Sequence, residues 1–249
     1  MRKLLVLVCC LVVSPAFADL WKVTLEGGPF DYSVSGTVRD STNPADTLDV
    51  KNDLGWKNDT ETMGYLYIKH PIPIIPNIRL GVTSLKLGGT NTLTKSYTYN
   101  GVTYNATDTV TSSADLSHTE LALYYNLLDT FMSLDLGVNI KKFDGKFAIS
   151  DTNGNSTSTT FNKAIPMLYG AVNVPILGSG FSVGGDISWI TYNDNKMSDV
   201  LVRLRYDTSF FLGIEAGYRT FHLDYQDTST NEYAKLDLKG PYLMARLSF

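Results

Sequence analysis

The chain holds three histidines, and two of them have a carboxylate two residues away: His118-Thr119-Glu120 and His222-Leu223-Asp224. On a β-strand, residues i and i+2 share a face, so each pair can act together in general acid–base chemistry. His118 and Glu120 are the weak catalytic candidates, on one face with Tyr124. A hydrolase there would also need a nucleophile, and Ser117 falls on the opposite face. His222 and Asp224 continue the parity of Leu212, Ile214 and Ala216, which turns them away from an interior. His70 precedes Pro71 and reads as a turn residue. No metal-ligand spacing, phosphate loop or nucleophile elbow is present, and no cofactor is expected. A second set bears charge on alternate residues: Asp135, Lys141, Asp186, Arg203, Arg205, Asp207, Glu215, Arg219 and Arg246. These are expected to face a common interior. Opposite charges there must pair, because an isolated buried charge costs several kcal/mol. The set therefore reads as a packed polar plug, or alternatively as a narrow charge-lined conduit or small-molecule site.

Strands must position these residues. In 131–143, Met132, Leu134, Leu136, Val138 and Ile140 oppose Ser133, Asp135, Gly137, Asn139 and Lys141. Similar alternation runs through 181–192, 197–207 and 211–225. Working back from Phe249, strands are expected near 233–249, 211–225, 197–207, 181–192, 163–174, 131–143, 114–126, 78–88, 60–70 and 20–38. Short connectors at one end alternate with polar loops near 39–59, 89–113, 144–161, 193–197 and 226–232. That asymmetry marks an all-β, transmembrane antiparallel up-and-down barrel of about ten strands, with eight or twelve also possible. The stretch 44–56 is either a folded piece of the first loop or a further strand. Parity is expected to break at Gly27-Gly28-Pro29, leaving Phe30, Tyr32 and Val34 outward, and again at Gly240-Pro241; both sites read as bulges. The tyrosines, with Trp21 and Trp189, suit aromatic girdles, or simple strand preference.

Both termini fit an exported barrel. Arg2, Lys3, the apolar run Leu4–Val13 and Ala16-Phe17-Ala18 read as a cleaved signal peptide over 1–18, with one barrel domain over 19–249. Both cysteines, Cys9 and Cys10, fall in that segment, so the mature chain has no thiol chemistry. It keeps 19 basic against 25 acidic residues, a balance that argues against nucleic acid as a partner. Leu243, Ala245, Leu247 and Phe249 face one way, Met244, Arg246 and Ser248 the other. This ending resembles the C-terminal signature of Gram-negative outer-membrane proteins, which makes Phe249 the expected signal for the barrel-assembly machinery.

The stretch Leu48-Asp-Val-Lys-Asn-Asp-Leu-Gly55, followed by His70-Pro-Ile-Pro-Ile-Ile-Pro-Asn77, resembles a family of small, uncharacterised proteobacterial outer-membrane β-barrel proteins. The resemblance implies the barrel and its location and assigns no activity. His222-Leu-Asp224 also resembles, in reversed order, the aspartate–histidine pair of ten-stranded surface proteases. The expected role is structural, or narrow passage or binding of a solute, by a monomer among outer-membrane lipids and lipopolysaccharide. The alternatives are a rim-active hydrolase of lipid A or peptide using His118 and Glu120, and a surface receptor or adhesin working through loops 89–113 and 144–161.

Overall fold

The structure, a computed structural model, describes residues 21–40, 46–227 and 231–249. The expected signal peptide, with Cys9 and Cys10, lies outside the described residues. Fifteen strands follow one another: β1 (Lys22–Asp40), β2 (Leu48–Asp49), β3 (Asp59–Lys69), β4 (Asn77–Thr83), β5 (Lys86–Thr92), β6 (Tyr97–Tyr99), β7 (Val102–Tyr104), β8 (Thr109–Asp115), β9 (His118–Asp129), β10 (Ser133–Asp151), β11 (Ser156–Ile176), β12 (Phe181–Tyr192), β13 (Asn195–Asp207), β14 (Leu212–Asp227) and β15 (Glu232–Ser248). β4 with β5, and β8 with β9, form single interrupted staves, because β5–β8 keeps the register of β4–β9. The result is a closed antiparallel barrel of ten staves, in which β15 pairs with β1 and β10 with β11.

The period-2 pattern sets the two faces of the wall. Val202, Leu204, Ile214, Leu243 and Leu247 are exposed on the outside, while Arg203, Glu215, Met244 and Arg246 are buried inside. The apolar belt is the surface that a bilayer core covers. It ends near Trp189 on β12 and Tyr218 on β14, beyond which the outward residues of β14 are Thr220, His222 and Asp224.

Several expectations are corrected. β1 and β15 hold one register from Thr24↔Ser248 to Asp40↔Glu232, with no bulge at Gly27-Gly28-Pro29 or Gly240-Pro241. Phe30, Tyr32 and Val34 are buried inside, as are Leu236 and Leu238. Parity only looked broken because this part of the lumen is itself apolar. The register shifts instead between Leu134 and Asp135 in the β9–β10 pairing. The supposed loop 144–161 is mostly strand, since β10 and β11 pair out to Ser150↔Ser156. The 193–197 loop shrinks to a tight turn at Asn193-Asp194, both with positive φ (45° and 65°), a conformation Asn and Asp tolerate. Within 89–113, β6 and β7 form a hairpin whose Tyr97, Tyr99 and Tyr104 are buried. Residues 46–56 are a folded piece of the first loop carrying the short β2. Most tyrosines, including Tyr65, Tyr124, Tyr169 and Tyr242, face the lumen rather than a girdle, while Trp21 and Trp189 do lie on the outer surface.

Candidate functional site: a two-part lumen

The lumen is charged toward the end with the short turns and apolar toward the end with the long connections. In the charged half, Arg79 on β4 reaches Glu120 on β9 and, 3.5 Å away, Asp186 on β12. Its guanidinium lies over Tyr65 at 4.4 Å and Tyr169 at 5.2 Å. Lys141 bridges Glu120 and Asp199, at 2.8 Å from the latter, and Arg219 grips Asp199 through two donors at 2.7 and 2.8 Å. Arg203 binds Asp186 at 2.6 Å. Arg205 and Arg246 converge on Glu26 and Glu215, and the Tyr242 hydroxyl donates to Glu215 at 2.8 Å. Six cations (Arg79, Lys141, Arg203, Arg205, Arg219, Arg246) thus meet six carboxylates (Glu26, Glu120, Asp186, Asp199, Glu215, Asp207). Asp207 is the outlier, with its side chain 48% exposed at the turn end, 3.3 Å from Arg246. Asp135 pairs with Lys69 at 3.5 Å and accepts from Asn126 at 2.7 Å.

Eight of the nine charged residues anticipated from alternation turn into this interior, and the ninth, Asp207, stands at its exposed turn end. Glu26, Arg79 and Asp199 are part of the same network and were missed, although strand parity places each inward. Gly81, flanked by Tyr65 and Glu120 in register, makes room for it. A Cβ at Gly81 would lie 2.5 Å from Glu120 Cγ and 2.8 Å from the Tyr65 ring. Gly81→Val is therefore expected to push Glu120 off its cations and to lower stability by about 1–3 kcal/mol. Urea unfolding followed by tryptophan emission measures this, and an unchanged midpoint would refute it.

His118 and Glu120 both face inward, and no hydrogen bond joins them among the described residues. Glu120 is engaged by Arg79, Lys141 and Asn139. His118 Nδ1 lies 3.0 Å from the Leu116 carbonyl, so it carries the proton and donates. The ring packs on Phe143 and Phe221, at 4.8 and 5.9 Å between centroids. Ser117 turns away and accepts from the Leu85 amide at 3.0 Å. Ligand atoms of His118, Glu120 and Asp199 lie within 4.8 Å of one another. A cation there would compete with Arg79, Lys141 and Arg219, so the trio does not fit a metal. His222 faces outward and bonds Asp237 at 2.8 Å. His70 closes the proline turn: Nδ1 accepts from the Ile72 amide at 3.2 Å, so Nε2 donates to the Pro76 carbonyl at 3.1 Å.

The apolar half holds a chamber of about 470 Å³. Phe143, Phe147, Phe161, Ile165, Met197, Leu223 and Leu236 line it, beside Trp56, whose indole N–H donates to Ser112 Oγ at 2.8 Å. The β6–β7 hairpin brings Tyr97 and Tyr99 to its margin. Tyr99 packs on Phe147 at 4.8 Å, and the Tyr104 hydroxyl donates to the Ile149 carbonyl at 3.0 Å.

A closed ten-stave barrel, apolar outside and ion-paired within, has the architecture of outer-membrane β-barrel proteins. The chain is similar in fold to the outer-membrane protease OmpT from Escherichia coli, with TM-score 0.51 and 12% identity over 93% of this chain and 97% of that one. Two further likenesses are the translocator domain of the autotransporter NalP from Neisseria meningitidis (TM-score 0.40, 10% identity, 91% of each chain) and Ail of Yersinia pestis (0.38, 10%, 92% and 99%). At such identities the likeness is one of fold. No protein-family model and no curated protein matches the chain.

Proposed function

We propose that the protein is an integral outer-membrane barrel that binds a small apolar ligand in the outer half of its lumen and does not conduct. The single observation carrying this reading is the division of the lumen. Arg79 and Lys141 cross it from β4 to β12 and from β10 to β13, while the space beyond is apolar. Ten staves give an interior little wider than one that side chains fill, and a fully paired network leaves no ion a path of solvated charge. Binding sites for small molecules typically measure ~300–1,000 Å³ and are mostly apolar; the chamber falls in that range. In this orientation the short turns face the periplasm and the chamber faces outward. Outer-membrane lipids and lipopolysaccharide surround the belt, the barrel acts as a monomer, and no catalytic step is assigned to it.

Planar-bilayer recording tests the reading. The refolded, heat-modifiable protein is expected to be silent. Steady, salt-dependent openings would sink the plug and favour a conduit.

A further inference from the structure

The wall of the barrel is closed on one side of its outer rim and open on another. β3 stops pairing with β1 at Tyr32↔Asp59. Above that level residues 46–56 fill the wall: Leu48–Asp49 pairs with Thr37 and Val38, and Trp56 bridges to Gly89. On the far side no further strand pairs with the wall among the described residues, and the β6–β7 hairpin meets β11 at Asn100, 3.5 Å from Thr157. β12 turns back at Asn193-Asp194, and its pairing with β11 begins only at Leu168↔Trp189. From Ser156 to Met167, β11 pairs with β10 alone. Pro166 lies at that limit and has no N–H to offer a further strand. β14 runs on past Lys196↔Asp224, where its pairing with β13 ends. The result is a notch flanked by β11 and β14, with the β12–β13 turn as its sill. Trp189 and Tyr192 are exposed at the sill, side chains that favour the bilayer interface.

The notch leads into the chamber. Phe161, Lys163 and Ile165 line the chamber from β11, and Leu223 and Tyr225 line it from β14. Lys163 is exposed and forms no ion pair among the described residues, whereas the six cations of the inner half are all paired. Arg39, the other cation of the lining, lies over the Tyr233 ring at 5.2 Å. Asp227 and Glu232 put negative charge on the β14–β15 side, which leaves Lys163 as the place for an anionic group.

We propose that the chamber takes one long-chain fatty acid from the surrounding lipid, entering through the notch, with its tail among Phe143, Phe161, Ile165 and Leu236 and its carboxylate on Lys163. This rests on reading the chamber as a binding site. A hydrocarbon would fill the apolar space but leave Lys163 unanswered, and a single chain suits the volume better than a whole phospholipid.

Trp56 provides the readout. A Trp21→Phe/Trp189→Phe variant keeps it as the sole tryptophan, since the chain has three. In phosphocholine vesicles, 9,10-dibromostearate is expected to quench Trp56 saturably, because bromine acts at contact range. Lys163→Met should weaken that binding roughly tenfold or more, the scale of a lost charge-assisted hydrogen bond. Dibromo-octadecanol, the neutral analogue, should bind both forms equally. Ala114→Phe, which fills the chamber, should abolish quenching; Lys163 is exposed and its variant keeps the fold, so it decides the matter if Ala114→Phe does not fold. Non-saturable quenching, or an affinity unchanged by Lys163→Met, would overturn the proposal. Failure of the plug shows instead as conductance in the bilayer recording, whatever the quenching result.

Discussion

Glu215→Ala is expected to lower the unfolding free energy of the barrel by about 3–5 kcal/mol, the cost of removing one partner from a buried ionic cluster. Glu215 lies 3.4 Å from Arg246 and 3.9 Å from Arg203, contacts Arg205, and accepts from Tyr242. Without it, three guanidiniums share Glu26, Asp186 and Asp207, and like charges close together in a low-dielectric interior repel strongly. Removing Arg205 as well restores part of the balance. The double variant should therefore be more stable than the sum of the two single losses, a coupling that a double-mutant cycle reads directly. Urea unfolding in detergent micelles gives both numbers. Additive losses would show that the cluster does not act as a unit.

The second large effect concerns permeability. Arg79 and Arg203 meet at Asp186, Arg79 at 3.5 Å and Arg203 at 2.6 Å. Cutting both to alanine removes the side chains that span the centre of the plug. Six carboxylates of the network then face four cations. The double variant is expected to give steady openings in a planar bilayer where the parent is silent, and to prefer cations. Heat-modifiable migration on a gel confirms that the barrel has formed. A folded but silent double variant would show that other side chains close the lumen, with Tyr65 and Tyr169, the rings beneath Arg79, as the next to trim.

Legibility of the sequence followed the chemistry of each face. Where the lumen is charged, outside and inside differ sharply, so Asp135, Lys141, Arg203, Glu215 and Arg219 could be assigned from alternation alone. Where the lumen is apolar, both faces look alike and parity disappears. Phe30 and Tyr32 read as outward for this reason, and a bulge was expected that the register does not contain. The missed members have local causes. Glu26 stands beside the glycine pair, Arg79 lies on a strand of only seven residues after the proline turn, and Asp199 falls early on β13 among polar neighbours. The chamber was hidden for another reason: its lining comes from strands far apart in sequence, and its margin comes from a segment whose Ser, Thr and Asn content looked like solvated loop. Tyr97, Tyr99 and Tyr104 in 89–113 were the available signal, since three tyrosines so close together are unlike a purely polar tether.

Closure of the barrel joins β1 to β15, and the Glu26–Arg246 contact spans 220 residues of sequence. Thr24 and Ser248 add a hydrogen bond of 3.0 Å along the same seam. Such long-range pairings form late, because their loop-closure entropy must be met before any contact offsets it. Interactions absent from the folding transition state act on the unfolding rate and leave the folding rate almost untouched. The seam pair is therefore expected to govern how long a finished barrel stays shut in the membrane, so that a weakened seam shortens that lifetime without slowing assembly.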